Sequence, residues 1–426
     1  MVDDMNIGMI GLGKLGLPCL LAIESQSNHK IYGFDISSQT LESIKNRKVS
    51  YWEKGVNDLL EKSEIQLVDS IGDLVDKCDI IFVAVQTPHD PLYEGRTPVP
   101  ESRKDFDYSH LVNVAEELKI GLLKHEDSNP LIVVISTVLP GTMRKVVIPV
   151  LESARKELRF AYNPYFIAMG TTVWDFLNPE FILIGSEKPE DGESLKTFYN
   201  FIEGSKILMD IESAELTKVA YNTFIGFKIV FANTIAEITQ VRGGDPDVIT
   251  NALASANHRL MSSAYMRAGM GDGGGCHPRD QIAMSWLAKD ANLSTDIFEY
   301  LAGARDAQTK KQAELIADIS SQNNLPAAIL GVTYKANSPL EIGSPARLLE
   351  VYLNKLNVKP LILDHWVNPG TQMPTSPHVF FIGVMHDTYK ELNLPKDSIV
   401  IDPWGFVEKV SSGVRVITPG RHRAKE

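Results

Sequence analysis

The feature that most constrains the fold of this chain is a glycine-rich turn close to its start. Gly11, Gly13 and Gly16 follow the apolar segment Asn6–Ile10 and open an amphipathic segment. In this spacing the first glycine allows a tight turn, the second lets a pyrophosphate approach the backbone, and the third lets a helix pack closely on a strand. The N–H groups at the start of that helix favour a bound anion. The pattern predicts a strand–turn–helix unit that binds a dinucleotide.

An acidic residue at the end of the next strand candidate narrows the choice of dinucleotide. Asp35 directly follows the apolar segment Lys30–Phe34, where such units place the carboxylate that binds the ribose hydroxyls. No Arg or Lys directly follows Asp35, and a carboxylate in this position repels a 2′-phosphate. We therefore expect NAD rather than NADP. The alternative is a glycine-rich turn in a different doubly wound protein.

The rest of the first half alternates short β-rich runs with amphipathic stretches. The strand candidates are residues 6–10, 30–34, 80–85, 131–135 and 182–185, and the helix candidates are residues 15–24, 38–46, 56–61, 109–122 and 190–202. Short buried strands that alternate with helices are typical of a parallel, doubly wound sheet. We expect an α/β protein whose N-terminal domain is a Rossmann-type dinucleotide-binding domain.

A long helix is predicted in the middle of the chain. Residues 212–241 contain one glycine and no proline, with apolar residues at helical spacing, Ser213 as a candidate N-cap and Glu215 in the first turn. The helix would be roughly 40 Å long. Because it is apolar nearly all round, it must be buried between domains or subunits. We favour a helix shared at a homodimer interface, with burial inside one subunit as the alternative.

A second α/β pattern follows the helical region. Its strand and helix candidates are residues 327–335, 344–356, 359–364, 378–384 and 398–405. This part resembles a smaller copy of the N-terminal architecture without the glycine fingerprint. We expect three domains, at residues 1–205, 206–310 and 311–426.

Composition excludes several classes of protein. A net charge of −12 argues against nucleic acid or an anionic membrane as a partner. The three cysteines, Cys19, Cys78 and Cys276, lie far apart without a CxxC pair, which argues against disulfides or a zinc site and fits a reducing compartment. The N-terminal segment is acidic, and the longest uninterrupted apolar runs have the length of strands. We expect a cytoplasmic protein without a signal peptide, a membrane span or a bound metal.

The segment at residues 268–280, AGMGDGGGCHPRD, contains a candidate nucleophile. Three glycines before Cys276 give a flexible loop that can bring the thiol against a ligand, and Arg279 favours the reactive thiolate. A buried, inert cysteine is the usual alternative, and it fits Cys19 and Cys78 better. His277 is a weak candidate for a general base, because neighbouring side chains on an extended loop point apart.

Lys218 and Asn222 are four residues apart and therefore share one face of the long helix. A lysine and an amide on an otherwise apolar helix can stabilise the oxyanion that develops on a reacting oxygen. The alternative is a solvated helix edge.

The order of these motifs resembles the UDP-glucose/GDP-mannose dehydrogenase family from about residue 6 to residue 406. The resemblance rests on GLGKLGLP, VAVQTPHDP, ISTVLPGT, NPYFIAMGTTVWDFLNPEFILIG, ELTKVAYN, GDGGGCHPRD and LGVTYKAN, which occur in this order. It implies an NAD-dependent enzyme that oxidises the primary alcohol of a nucleotide sugar to the carboxylate with two NAD. It also implies that the long helix is the dimerisation element.

The resemblance also assigns roles to individual residues. It implies the following: Cys276 as the nucleophile; Lys218, Asn222 and Asp280 as residues that handle the oxyanion and the water; Thr137 near the nicotinamide and the reacting water; Thr87 on the cofactor; Tyr265 and Gly273 on the substrate; and Lys335 at the start of a nucleotide-binding C-terminal domain. The implied reaction passes through a thiohemiacetal and a thioester on Cys276.

Three departures from the family pattern concern the substrate end of the site. Tyr165 and Met169 stand where the family has glutamates, one of which helps to orient or activate the hydrolytic water. Residues 341–343, Glu-Ile-Gly, lack the family arginine that contacts the nucleotide sugar. Arg279 replaces a more usual lysine, and Arg259 lies one residue out of register with a family arginine.

Two other functions remain open from the sequence. A two-electron dehydrogenase of the β-hydroxyacid type shares the dinucleotide fold and the KxxxN helix, but not the GGGC loop or the second α/β domain. A non-catalytic protein that binds nucleotide sugars is suggested by Tyr165, but the joint presence of Cys276, Lys218, Asn222 and Asp280 argues against it.

Overall fold

The computed structural model describes residues 4–88, 101, 104–262, 268–274 and 277–420. The chain divides into two compact units, Met1–Gly226 and Phe227–Glu426, and the boundary lies inside the long helix. The three-domain division expected from the sequence stays a prediction.

The first unit contains a sheet of eight strands with helices between them. The strands are β1 Asn6–Ile10, β2 Lys30–Phe34, β3 Gln66–Leu67, β4 Ile80–Val83, β5 Leu131–Val134, β6 Phe160–Tyr162, β7 Phe181–Gly185 and β8 Ser205–Met209. The helices are α1 Gly16–Gln26, α2 Ser38–Lys45, α3 Val56–Lys62, α4 Ile71–Lys77, α5 Ser109–Lys124, α6 Ile148–Glu152, α7 Thr172–Leu177 and α8 Pro189–Phe198, with a π-helical turn at Met143–Val147 and a 3₁₀ turn at Tyr199–Phe201.

The strand order of this sheet is β3-β2-β1-β4-β5-β6-β7-β8, and all neighbouring pairs except β6 and β7 are parallel. Apolar side chains are buried on both faces, as a parallel sheet between two layers of helices requires. The predicted doubly wound fold is confirmed. Strands β3, β6 and β8 were not predicted. They are two, three and five residues long, and the side chains of β8 are only partly buried.

The predicted long helix is confirmed as α9, Ile211–Arg242. Its first turns are buried, but in the chain taken alone Phe224 is 51% exposed and Ile229 is 57% exposed. Burial of the whole helix within one subunit, the alternative kept in the sequence analysis, is therefore wrong. The chain on its own leaves this apolar surface uncovered.

By length and composition, residues Ile211–Thr239 of α9 are also the one helix among the described residues that could cross a membrane. Charged side chains interrupt this helix, so no uninterrupted apolar run in the sequence marks it. The first turns of α9 belong to the protein interior, since Glu215 and Lys218 there are buried and bonded to loops of the first unit.

The second unit contains helices followed by a smaller sheet. Its helices are α10 Pro246–Ala254, α11 His277–Asp290, α12 Ile297–Asn323 and α13 Pro345–Lys355, with a 3₁₀ turn at Asp387–Tyr389. Its strands are β9 Ala327–Leu330, β10 Leu361–Leu363, β11 Val379–Ile382, β12 Glu391–Leu392, β13 Ile399–Ile401, β14 Lys409–Val410 and β15 Arg415–Ile417. Strands β10-β9-β11-β13-β15 form one parallel sheet, and β12 pairs with β14.

The second sheet repeats the hydrogen bonds of the first at the end of its leading strand. The amide of Gly331 donates to Leu363 O over 2.9 Å, as the amide of Gly11 donates to Phe34 O over 2.9 Å. The amide of Val332 donates to a carboxylate oxygen of Asp364 over 2.7 Å. The expected second α/β pattern is confirmed.

The repeated carboxylate has a different environment. Asp364 is only 1% exposed, and its Oδ2 lies 3.3 Å from Nε2 of the fully buried His386. The Asn337 amide donates to Nδ1 of His386 over 2.9 Å, so the ring proton lies on Nε2 and faces Thr333 and Asp364. Burial opposes ionisation of Asp364, but hydrogen bonds from His386 and the Val332 amide outweigh it and lower its pKa to about 2.

We predict that ionised Asp364 stabilises the second unit. Its pKa is about 2 in the folded chain against an ordinary 3.8, so its contribution of about 2 kcal/mol is present above pH 4 and is lost as the pH falls towards 2. Asp364→Asn should lower the free energy of unfolding of this unit at pH 6, and the deficit should shrink at pH 3. Chemical denaturation at both pH values measures this; a deficit independent of pH contradicts it.

Candidate active site

The glycine turn between β1 and α1 has the geometry that its spacing predicts. Gly11 has a φ of +92°, which favours glycine. A Cβ on Gly16 would lie 1.9 Å from the Gly11 carbonyl oxygen, so any side chain there would push α1 off the strand. A Cβ on Gly13 would meet no described protein atom within 4 Å. The space in front of Gly13 is therefore open for a ligand.

The carboxylate of Asp35 is oriented by two backbone amides. One oxygen accepts from the Leu12 amide over 2.7 Å, and the other accepts from the Ser37 amide over 2.8 Å. Asp35 is half-buried, and each of its oxygens keeps a further lone pair. The predicted ribose-binding carboxylate is thus held directly beside the glycine turn.

A cleft of about 510 Å³ opens at the carboxyl ends of β1, β4 and β5. It lies within the range of about 300–1,000 Å³ typical of sites for small molecules. Its lining includes the glycine turn, the residues after β4 and β5, and part of the loop after β6: Leu12, Gly13, Lys14, Thr40, Tyr51, Val85, Thr87, Ser136, Thr137, Tyr165 and Met169. The start of α1 faces this region and has no side-chain cap, which suits a pyrophosphate. These residues fit a bound NAD.

Thr87 and Thr137 both line this cleft, and the cofactor roles that the resemblance implies for them stay predictions. The Thr87 hydroxyl donates to the Thr137 carbonyl over 2.7 Å, and the Ser136 hydroxyl donates to the Val85 carbonyl over 2.6 Å. The segments that follow β4 and β5 are therefore linked side by side.

Tyr51 is a cleft residue that the sequence analysis missed. Its hydroxyl donates to the Gly13 carbonyl over 3.4 Å, and burial raises its pKa above the ordinary range. The hydroxyl therefore stays protonated and holds the glycine turn through this hydrogen bond. The sequence offered no signal for it, because the segment before α3 has neither strand nor helix periodicity.

Lys218 lies under the loop after β6. Its Nζ donates to the Tyr165 carbonyl over 2.7 Å and lies 4.7 Å from the ring centroid of Phe166. The side chain is buried, and this burial lowers the pKa of Lys218. Asn222, one turn further along α9, is exposed. A buried ammonium at this position can donate a hydrogen bond to an oxygen that gains negative charge.

Tyr165, which replaces a family glutamate, belongs to a chain of buried hydroxyl groups. Its hydroxyl lies 3.1 Å from that of Tyr199, which donates to Oδ1 of Asn163 over 2.5 Å. Burial raises the pKa of Tyr165 well above its ordinary value. Tyr165 is therefore a neutral hydroxyl at physiological pH and cannot supply the carboxylate base. Met169 is 64% exposed and supplies no titratable group either.

In the second unit the structure describes only part of the predicted nucleophile loop. Cys276 and Tyr265 lie outside the described residues, so the roles predicted for them stay predictions. Asp280 is an exposed residue in the first turn of α11. Its neighbour His277 has Nδ1 2.8 Å from a carboxylate oxygen of Asp272, whose other oxygen accepts from Gln281 over 2.7 Å.

Gly273 packs against the segment that leads into α13. A Cβ on Gly273 would lie 2.8 Å from Cδ of Pro345. Arg305, a residue the sequence analysis missed, donates from Nε to the Asp272 carbonyl over 2.6 Å and from Nη2 to the Gly343 carbonyl over 3.3 Å. The described end of the nucleophile loop is thus held against the loop that carries Lys335, which is exposed.

The departure at residues 341–343 has a structural counterpart. Glu341 forms a salt bridge with Arg347, which also pairs with Glu350 over 2.7 Å. Ile342 is 75% exposed. Arg347 is therefore engaged within its own segment and does not take the place of the missing family arginine.

Comparison with known proteins identifies the class to which this fold and site belong. Residues 5–203 match the NAD-binding domain of the UDP-glucose/GDP-mannose dehydrogenase family, and residues 212–305 match its central domain. The chain belongs to this family of NAD-dependent nucleotide-sugar dehydrogenases, so the predicted resemblance and the NAD cofactor are confirmed.

Individual relatives cover most of the chain. GDP-mannose 6-dehydrogenase of Pseudomonas syringae pv. tomato is 27% identical over 82% of this chain and 79% of its own length. UDP-glucose 6-dehydrogenase of Rickettsia conorii is 26% identical over 93% and 94%. A crystal structure of GDP-mannose dehydrogenase from Pseudomonas aeruginosa, solved as a ternary complex, aligns over 97% of this chain and 99% of that chain, with a TM-score of 0.83 and 23% identity.

We predict that Asp35 sets the preference for NAD. Asp35→Asn keeps an acceptor for the Leu12 amide but removes the charge that repels a 2′-phosphate, so the ratio of NAD to NADP affinity should fall roughly tenfold. Fluorescence titration with NADH and NADPH measures the ratio. Glu42→Gln, an exposed change on α2, is the control. An unchanged ratio in Asp35→Asn would show that another residue makes the selection.

Proposed function

We propose that the protein oxidises the primary alcohol of a nucleotide sugar to the uronic acid in two NAD-dependent steps. The observation that carries this proposal is the dinucleotide cleft of the first unit, where Thr87 and Thr137 line the cavity and Lys218 is bonded to the loop that closes it. Membership of the family supports the class of substrate.

The residues divide the oxidation into steps that keep the aldehyde attached. Bound NAD supplies the hydride acceptor, and two equivalents are consumed for each alcohol. Lys218 and Asn222 stabilise the developing oxyanion as the alcohol loses a proton and a hydride. The Cys276 thiol adds to the aldehyde to give a thiohemiacetal, whose loss of a second hydride and proton leaves a thioester. Water, positioned by Asp280 and Thr137, cleaves the thioester to the acid and restores the thiol.

The substrate is proposed as a class, and its members can be ranked. Relatives named for GDP-mannose and for UDP-glucose cover most of the chain, so both sugars head the list. Tyr265, Gly273 and Lys335 are the proposed contacts to the nucleotide sugar. Because residues 341–343 lack the family arginine, we expect a selectivity different from that of the relatives.

One observation favours a second candidate function. Tyr165 is a neutral hydroxyl and Met169 an exposed thioether where the family has carboxylates. A chain without these carboxylates lacks a base for the water that cleaves the thioester, which favours a reaction that ends after one hydride transfer, as in a two-electron dehydrogenase. Asp280 is the residue on which the four-electron reaction then depends.

The number of NADH formed per substrate separates the two candidates. With the best substrate from a panel of UDP-, GDP- and ADP-sugars, we predict two NADH per sugar and a uronic acid product. Cys276→Ser should lose acid formation while NAD still binds, because the serine hydroxyl cannot form the thioester. Absorbance at the NADH band and product analysis measure both. One NADH per turnover with unchanged Cys276→Ser would establish the two-electron reaction.

We also propose that the chain forms a homodimer through α9. The exposed apolar side chains in its central part, among them Phe224, Phe227, Ile229 and Val230, form a surface of the kind that subunit interfaces cover. The same assignment agrees with a protein that acts free in the cytoplasm.

Ile229→Glu tests this interface. A buried, unpaired carboxylate opposes association, so the variant should be a monomer when the unaltered chain is a dimer. Light scattering after size-exclusion chromatography gives the mass. Ile120→Glu on α5 is matched in exposure, since Ile120 and Ile229 are both 57% exposed, and should leave the mass unchanged. A dimeric Ile229→Glu variant, or a monomeric unaltered chain, would contradict the assignment.

A further inference from the structure

Two buried glutamates lie against loops of the dinucleotide cleft, outside the set of residues that the family resemblance singles out. Glu53 precedes α3 and is 7% exposed, and Glu215 lies in the first turn of α9 and is fully buried. A buried carboxylate is costly unless hydrogen-bond donors satisfy it. The donors in both cases are backbone amides far away in the sequence.

Glu215 binds the loop that follows β5. Its two oxygens accept from the amides of Gly141 and Met143, over 2.5 Å and 2.8 Å. This loop begins at Ser136 and Thr137, which line the dinucleotide cleft. Burial raises the pKa of Glu215 above its ordinary value, and the two amides act in the opposite direction.

Glu53 binds the loop that follows β6 in the same manner. Its two oxygens accept from the amides of Gly170 and Thr172, each over 2.8 Å. This loop carries Tyr165 and Met169, which also line the cleft. The Lys54 amide adds a weaker bond of 3.4 Å to the Gly170 carbonyl.

The two contacts share one local geometry. In each loop a glycine in the left-handed region, with φ of +87° at Gly141 and +99° at Gly170, is followed two residues later by an amide that opens a helical turn. One carboxylate accepts from both amides, so its charge is offset by the start of that turn. The distant glutamate thus adds a contact from outside each loop to local bonds such as that from the Ala168 amide to Asp175 over 2.8 Å.

The position of Glu215 links its loop to a proposed catalytic group. Lys218 follows three residues later on the same face of α9 and donates to the Tyr165 carbonyl in the other loop. The first turns of α9 therefore contact both cleft loops at once. The spacing between Thr137 and Lys218 is set by the Glu215 contact, and the Glu53 contact sets the far end of the loop that Lys218 holds.

We infer that Glu53 and Glu215 are positioning residues that hold the two cleft loops in the geometry required for hydride transfer. The inference rests on the proposed dehydrogenase function for its kinetic consequence, but not for the contacts themselves. Neither residue contacts the reacting atoms in this role.

Hydrogen exchange tests the contacts without any substrate. In Glu215→Gln the new NH₂ group faces an amide donor, so one hydrogen bond is lost and one N–H is left without its acceptor. The amides of residues 139–143 should then exchange at least about tenfold faster, and in Glu53→Gln those of residues 168–172 should do so. The controls are Glu212→Gln on the surface of α9, whose carboxylate pairs with Arg144, and Glu61→Gln on α3. Unchanged exchange at these amides overturns the inference.

Kinetics test whether the contacts position the reaction. Both variants should lose roughly 10-fold to 100-fold in kcat, while the Kd for NADH stays within about threefold and the primary deuterium isotope effect on kcat changes. A purely structural role would instead lower the melting temperature and the active fraction and leave the isotope effect as it is. Loosened loops with unchanged kcat, or an equal kcat loss in Glu212→Gln, overturn the positioning role.

Two further results distinguish a failure to fold from a failure of the inference or of the proposed function. If a glutamine variant does not fold, Glu53→Asp and Glu215→Asp retain the charge on a shorter side chain and should give intermediate exchange and intermediate kcat. If the unaltered chain forms no NADH with any nucleotide sugar, the proposed function fails, while the exchange experiment still decides the loop contacts.

Discussion

The close contact between Gly16 at the start of α1 and the carbonyl of Gly11 is the constraint on which the dinucleotide cleft depends. Because no side chain fits there, the helix begins directly over the end of β1, and its first N–H groups face the open space at Gly13. The Leu12 amide then lies within reach of Asp35, which joins β1 to β2 at the same edge of the sheet. The cleft exists because backbone approaches backbone at this one point.

How much the sequence could predict follows from how local each signal is. The glycine turn, Asp35 and the long helix are encoded within short windows, and the structure places each of them as expected. The positions of Lys218 and Tyr165 relative to each other were not predictable, since their contact joins a helix to a loop fifty-three residues away. The short strands β3 and β6 carry too few residues to show a period. The roles of Cys276 and Asp280 stay predictions.

The two cleft loops show the same limit of prediction from sequence. Gly141 and Gly170 lie within sequence motifs of the family resemblance, but nothing near them in sequence indicates Glu215 or Glu53 as their partners. Buried carboxylates that accept hydrogen bonds from backbone amides leave no sequence motif, because every residue except proline carries the same N–H donor. The residues that shape the site are for this reason harder to find than the residues that line it.

The enclosed carboxylate at Asp364 distinguishes the second unit from the first. The second unit reproduces the strand–turn–carboxylate arrangement of the first, yet Asp364 is buried against His386, whereas Asp35 is only half-buried. A carboxylate enclosed in this way is out of reach of any group in solution. One arrangement of strand, turn and acid therefore serves as an accessible acceptor in one unit and as an internal structural contact in the other.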